Sequence, residues 1–168
     1  MVLDPDRPGP LELLVVQPTP FCNINCSYCY LPDRQSTKQM SSQTLEQTFA
    51  WVFSSGLVRA PFTLLWHAGE PLVMPLAFYR DAVVLLDRYN SPAVEIHHAI
   101  QTNATLIDDD WCRFFVEHDV SPGVSVDGPA FLHDSRAAPD RARGLSTGCC
   151  AASRCSGNTA FPSTSSPS

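Results

Sequence analysis

The sequence predicts an α/β fold built on a parallel sheet. Short apolar runs of strand length alternate with segments of helical apolar spacing. The strand-like runs are apolar on successive residues, as strands buried on both faces would be. Each polar motif of unusual composition falls just after such a run. In sheets of this kind ligands sit at the carboxyl ends of the strands, so the same pattern says where a site belongs. The crossovers are expected to be right-handed.

Leu11–Gln17 (LELLVVQ) is the first expected strand, closed by Pro18 and Pro20. A helix over Ser42–Ser54 follows from Leu45, Phe49, Val52 and Phe53 on one face, with Gly56 at its C-terminal stop. Phe62–Trp66 (FTLLW) reads as the second strand. Helical spacing returns over Leu76–Tyr89 through Tyr79, Ala82, Val83 and Leu86. Val94–Gln101 (VEIHHAIQ) is the third strand. Ile107, Trp111, Phe114, Phe115 and His118 then share a helical face, with Asp108, Asp109 and Asp110 in a first turn where the helix dipole favours anions. Gly123–Val126 (GVSV) is the fourth strand.

At 168 residues and 44% apolar composition, the chain suits one domain with a real core. Eleven basic against seventeen acidic residues give a charge of −6, and Lys38 is the single lysine. Without clustered positive charge, neither nucleic acid nor an anionic membrane surface is an expected partner. No apolar run reaches the ~18 residues of a membrane span. The opening MVLDPDRPGP lacks the basic and apolar regions of a secretory signal, so a cytoplasmic location is expected. Thiols stay reduced there, and seven cysteines then point to a metal site before disulfides.

Residues 1–10 read as an N-terminal tail, 11–136 as a core of about four strands and three helices, and 137–168 as a disordered tail. All seventeen acids lie at or before Asp140, and the last 24 residues hold one charge, seven Ser and three Thr without apolar periodicity. Cys149, Cys150 and Cys155 fall in that stretch with no element to position them, so no site is assigned to them. In a shifted reading frame, permissible codons from Leu145 onward encode an amphipathic helix, a glycine stop and an apolar strand. The expectation is a frameshift near Arg136–Ala137 and an out-of-frame tail.

After the first strand, Cys22, Cys26 and Cys29 form C-x3-C-x2-C. Three thiolates this close suit zinc or an iron–sulfur cluster. A structural zinc wants a fourth ligand, and the next histidine is His67. A cubane held by three thiolates leaves one iron open for chemistry. A zinc-binding module and a non-catalytic remnant remain the alternatives. Tyr28 and Tyr30 flank Cys29, where they would shield a cluster from water.

The cysteine spacing, with Tyr28 before the last cysteine, resembles the signature of the radical S-adenosylmethionine (radical SAM) superfamily. His67-Ala68-Gly69-Glu70-Pro71-Leu72 resembles that family's GGEP element, with Ala68 in place of the first glycine. Gln101-Thr102-Asn103-Ala104-Thr105-Leu106, then Val124-Ser125-Val126-Asp127-Gly128-Pro129 and His133-Asp134, follow the third and fourth strands. Together they resemble the branch of anaerobic sulfatase maturases and ribosomal-peptide-modifying (SPASM-type) maturases, over roughly residues 11–136.

The resemblance implies the N-terminal part of a partial (βα)6 TIM-like barrel, truncated before its last βα units. It implies a [4Fe–4S] cluster on Cys22, Cys26 and Cys29 whose fourth iron chelates S-adenosyl-L-methionine. Beside that loop, Tyr28, Ala68, Gly69 and Glu70 become cofactor residues: Glu70 supplies a carboxylate for the SAM ammonium, and Gly69 lets backbone approach closely. Without the family, the same Gly-Glu-Pro is an ordinary turn. Ser125 and Asp127 are expected at the ribose hydroxyls and Asn103 at the nucleoside. Arg136 is nearest to the arginine that the family places on the SAM carboxylate. The implied chemistry is reductive cleavage of SAM to a 5′-deoxyadenosyl radical that takes hydrogen from a peptide or protein side chain. A low-potential electron donor is the further partner, and no side chain is assigned as general acid or base.

Overall fold

The computed structural model describes residues 9–90, 94–126, 128 and 137–139. In chain order the elements are β1 (Leu11–Val16), β2 (Ile24–Cys26), α1 (Ser42–Ser54), β3 (Val58–Trp66), a 3-10 turn (Pro71–Val73), α2 (Leu76–Tyr89), β4 (Ile96–Thr102), α3 (Asp109–Glu117), β5 (Val120–Val124) and β6 (Ala137–Pro139). Four strands form one sheet in the order β1-β3-β4-β5, every pair parallel. The sequence expectation of an α/β fold with a parallel sheet holds.

Local chemistry sets the helix boundaries. The Ser41 hydroxyl accepts from the Thr44 N–H at 3.1 Å to start α1. Gly56, at φ +69°, turns the chain away after it. Asp108 accepts from the Trp111 N–H at 2.9 Å to start α3, with Asp109 and Asp110 in the first turn.

Partners in a parallel ladder share a face, and the register puts Leu64, Trp66, His98 and Ile100 on the side that the helices cover. The core there is largely aromatic. Ring centroids lie 5.9 Å apart for Phe53–Phe62, 5.1 Å for Trp66–Tyr79 and 5.3 Å for Tyr79–Trp111, mostly edge to face. This chain of rings ties α1, α2 and α3 to the same sheet face. On the other face, Leu13 and Val15 stay 49% and 50% exposed.

Strand ends differ from the sequence expectation. β3 starts before Pro61, where the β1–β3 register shifts between Leu11 and Leu13. β5 covers Val120–Val124 rather than Gly123–Val126, and carries Pro122 because an edge strand tolerates a missing donor. The sequence puts the loss of order at Ala137. Instead, Ala137–Pro139 pairs antiparallel with Ile24–Cys26 of the cysteine loop. Residues 140–168, with Cys149, Cys150 and Cys155, lie outside the described residues, as do Asp127 and Arg136.

Candidate functional site

The site sits where the carboxyl ends of β1, β3 and β4 meet. The loop after β1 is fixed through its backbone: the Cys22 N–H donates to the Arg34 carbonyl at 3.1 Å, and Arg34 Nη1 donates to the Cys26 carbonyl at 2.8 Å. The Cys29 N–H donates to the Cys26 carbonyl at 3.2 Å, and Ile24 is buried against Cys22 and Cys26. All three cysteines are half-buried.

The turn after β3 is laced to the same loop. The His67 N–H donates to the Val16 carbonyl at 3.0 Å and the Glu70 N–H to the Phe21 carbonyl at 2.7 Å. Ala68 and Gly69 both have left-handed backbones, at φ +73° and +65°. A Cβ on Gly69 would lie 2.5 Å from the Thr19 carbonyl oxygen and 2.7 Å from that of Phe21. Here glycine is required by close backbone approach as well as by φ.

Glu70 is 1% exposed and joins two strand ends. Its Oε1 accepts from the Leu72 N–H at 2.9 Å and the Thr102 hydroxyl at 2.7 Å. Its Oε2 accepts from the Asn103 N–H at 2.8 Å. Burial pushes its pKa up, and the three donors oppose that shift. Of the roughly four acceptor sites of a carboxylate, three are occupied. Burial also raises the Cys22 thiol, helped by Glu70 and Cys26 and opposed by the Ile24 backbone and the Asn103 amide. The neighbouring Tyr79 phenol, whose hydroxyl donates to the Pro71 carbonyl at 2.7 Å, is pushed up by burial first and Glu70 second.

Cys22, Cys26, Tyr28, Cys29, Ala68, Gly69, Glu70, Asn103 and Ser125 line one cleft, together with His67, Gln101 and Thr102. Every predicted site residue that is described is therefore brought together. Asn103 departs from expectation in one respect: its side-chain amide is engaged by Asn23, Thr105 and Cys22 rather than left open for a nucleoside. Sequence reasoning missed Thr102, Asn23, Thr105, Arg34 and Gln101, the last of which donates to the Ser125 hydroxyl at 2.9 Å. Asn23 adjoins Cys22 and Thr102 lies within the motif after the third strand, but their partners are remote in sequence.

Among the described residues, no three His, Cys, Asp or Glu side chains converge on one point as a single ion requires. Three thiol donors that line one cleft fit a cluster in which each sulfur meets a different iron.

Comparison with known proteins agrees. The family described as the radical SAM superfamily matches residues 16–140. A serine-type anaerobic sulfatase-maturating enzyme of Klebsiella aerogenes is 37% identical over 149 residues, covering 88% of this chain and 36% of that protein. An uncharacterized Synechocystis protein is 41% identical over 140 residues, covering 81% of this chain and 35% of its own. The solved structure of native anSMEcpe with bound AdoMet and Cp18Cys peptide aligns with a TM-score of 0.76 at 27% identity, covering 87% of this chain and 39% of the other. The chain thus spans about a third of the length of the curated relatives it matches.

Proposed function

Because the chain belongs to the radical SAM superfamily, we propose that it binds a [4Fe–4S] cluster and S-adenosylmethionine and acts in the modification of a peptide or protein side chain. One observation carries this reading: Cys22, Cys26, Cys29 and the Ala68-Gly69-Glu70 turn line a single cleft at the strand ends. When bound, the two cofactors supply one-electron reductive cleavage of the sulfonium, which starts hydrogen-atom abstraction from the substrate.

The chain's own residues bind and orient. Cys22, Cys26 and Cys29 hold the cluster. Glu70 offers its remaining acceptor site to the SAM ammonium, and the left-handed backbone at Ala68 and Gly69 lets the turn come close. Ser125 and Asp127 take the ribose hydroxyls, and Tyr28 walls the cleft against water. The peptide partner is supported by the anSMEcpe complex, whose peptide is bound together with AdoMet. A low-potential donor supplies the electron, and a reducing cytoplasm keeps the thiols available. Among the described residues, no helix is long and apolar enough to cross a membrane.

Anaerobic reconstitution of the full chain with iron and sulfide tests this. The expected result is near-stoichiometric [4Fe–4S] absorbance and 5′-deoxyadenosine release from SAM under reduction. Joint replacement of Cys22, Cys26 and Cys29 by Ala abolishes both. A colourless protein that binds zinc tightly overturns the assignment, and a cluster without SAM cleavage reduces the chain to a non-catalytic binder.

A further inference from the structure

Three side chains beside the cysteine loop form a closed ring of hydrogen bonds whose direction is fully determined. The backbone N–H of Thr105 can only donate, and it lies 3.0 Å from one side-chain atom of Asn103, which must therefore be Oδ1. The other amide atom is then Nδ2, which donates to Asn23 Oδ1 at 2.9 Å. Asn23 Nδ2 in turn donates to the Thr105 hydroxyl at 2.8 Å. That hydroxyl, having accepted from Asn23, donates its own proton to Asn103 Oδ1 at 2.6 Å. One hydrogen on Asn103 Nδ2 is left over, and Cys22 Sγ is 3.8 Å away. Asn103 is buried, and its backbone is pinned separately by Glu70.

We propose that Asn103 is a positioning residue for the iron–sulfur cluster, held by Asn23 and Thr105 so that it presents an N–H to the Cys22 sulfur and raises the cluster's reduction potential. The proposal rests on the cluster reading above. Reduction adds a negative charge, and a donor at a ligand sulfur stabilises that charge more than it stabilises the oxidised state. The ring is what gives the effect its sign. Were the amide free to rotate, its oxygen could face the sulfur and push the potential the other way.

The test is a redox titration of the reconstituted full-length protein, followed by EPR of the reduced cluster without substrate. Asn103→Ala is expected to shift the midpoint to more negative values by about 59 mV, a tenfold change in the one-electron equilibrium. Asn103→Asp is expected to shift it further, because a carboxylate replaces the donor. Thr105→Val, which removes one of the three bonds orienting the amide and the acceptor that holds Asn23, is expected to give a smaller shift of the same sign. A purely structural role would lower thermal stability and leave the midpoint unchanged, and that result overturns the proposal. If Asn103→Ala retains no iron, Thr105→Val decides: an unmoved midpoint overturns the proposal and a lowered one supports it. Failure of the parent protein to assemble a cluster overturns the functional reading itself, so the two failures are distinguishable.

Discussion

Ala68 carries backbone strain that its neighbour Gly69 avoids. An L-residue in the left-handed region costs about 1–2 kcal/mol, and Ala68 sits at φ +73°. Replacing it by glycine removes the strain and returns part of the gain through a more flexible unfolded chain. Ala68→Gly is thus expected to stabilise the protein by about 0.5–1 kcal/mol, read as a higher denaturant midpoint with an unchanged slope. Gly69→Ala is expected to cost on the order of 3 kcal/mol, since a Cβ there meets two backbone carbonyls at 2.5 and 2.7 Å. A destabilised Ala68→Gly or a tolerated Gly69→Ala would contradict the geometry. The sequence shows that Gly69-Glu70-Pro71 is a turn, since Gly and Pro punctuate chains locally. It does not show that Glu70 is tied to Thr102 and Asn103, because that meeting is made by the pairing of β3 with β4.

Between elements, the buried tie of β3 to β4 is polar as well as apolar. The Trp66 indole N–H donates to His98 Nε2, which therefore must be unprotonated. Burial, then His118 and His97, lower the His98 pKa from 6.5 to about 4. Between those values the unfolded chain holds the proton and the folded protein does not, so stability rises with pH. The contribution is complete above pH 6.5 and is lost as pH falls toward 4, amounting to about 3 kcal/mol. Unfolding free energies of the parent and His98→Gln over this range check it. The variant is expected to show a flatter dependence, with contributions such as that of Glu70 common to both. Helices were the legible elements: α1 and α2 fall where Leu45, Phe49 and Val52, and Tyr79, Ala82 and Leu86, put them. The starts of β3 and β5 were not legible, because Pro61 and Pro122 read as breaks while sheet irregularity and an edge position absorb them. The three-residue β2 and β6 carry too little pattern to be recognised at all.

For the molecule as a whole, the helix-covered sheet face and the open one are unequal. Parallel sheets bury both faces, yet Leu13 and Val15 are half exposed on the side away from the helices. Contiguous apolar surface of this kind promotes association. Joint replacement of Leu13 and Val15 by Thr is expected to raise the solubility limit and reduce binding of a hydrophobic dye, with stability changed by no more than about 1 kcal/mol. Unchanged solubility and dye binding would show that this face is not the sticky one. The antiparallel pairing of Ala137–Pro139 with Ile24–Cys26 bears on biosynthesis. The cysteines leave the ribosome early, whereas Glu70, Asn103 and the strand that closes over the loop are translated later, the last of them far downstream. A nascent chain therefore displays its thiols before the residues that pack around them, and before the strand that pairs with their loop, have been made.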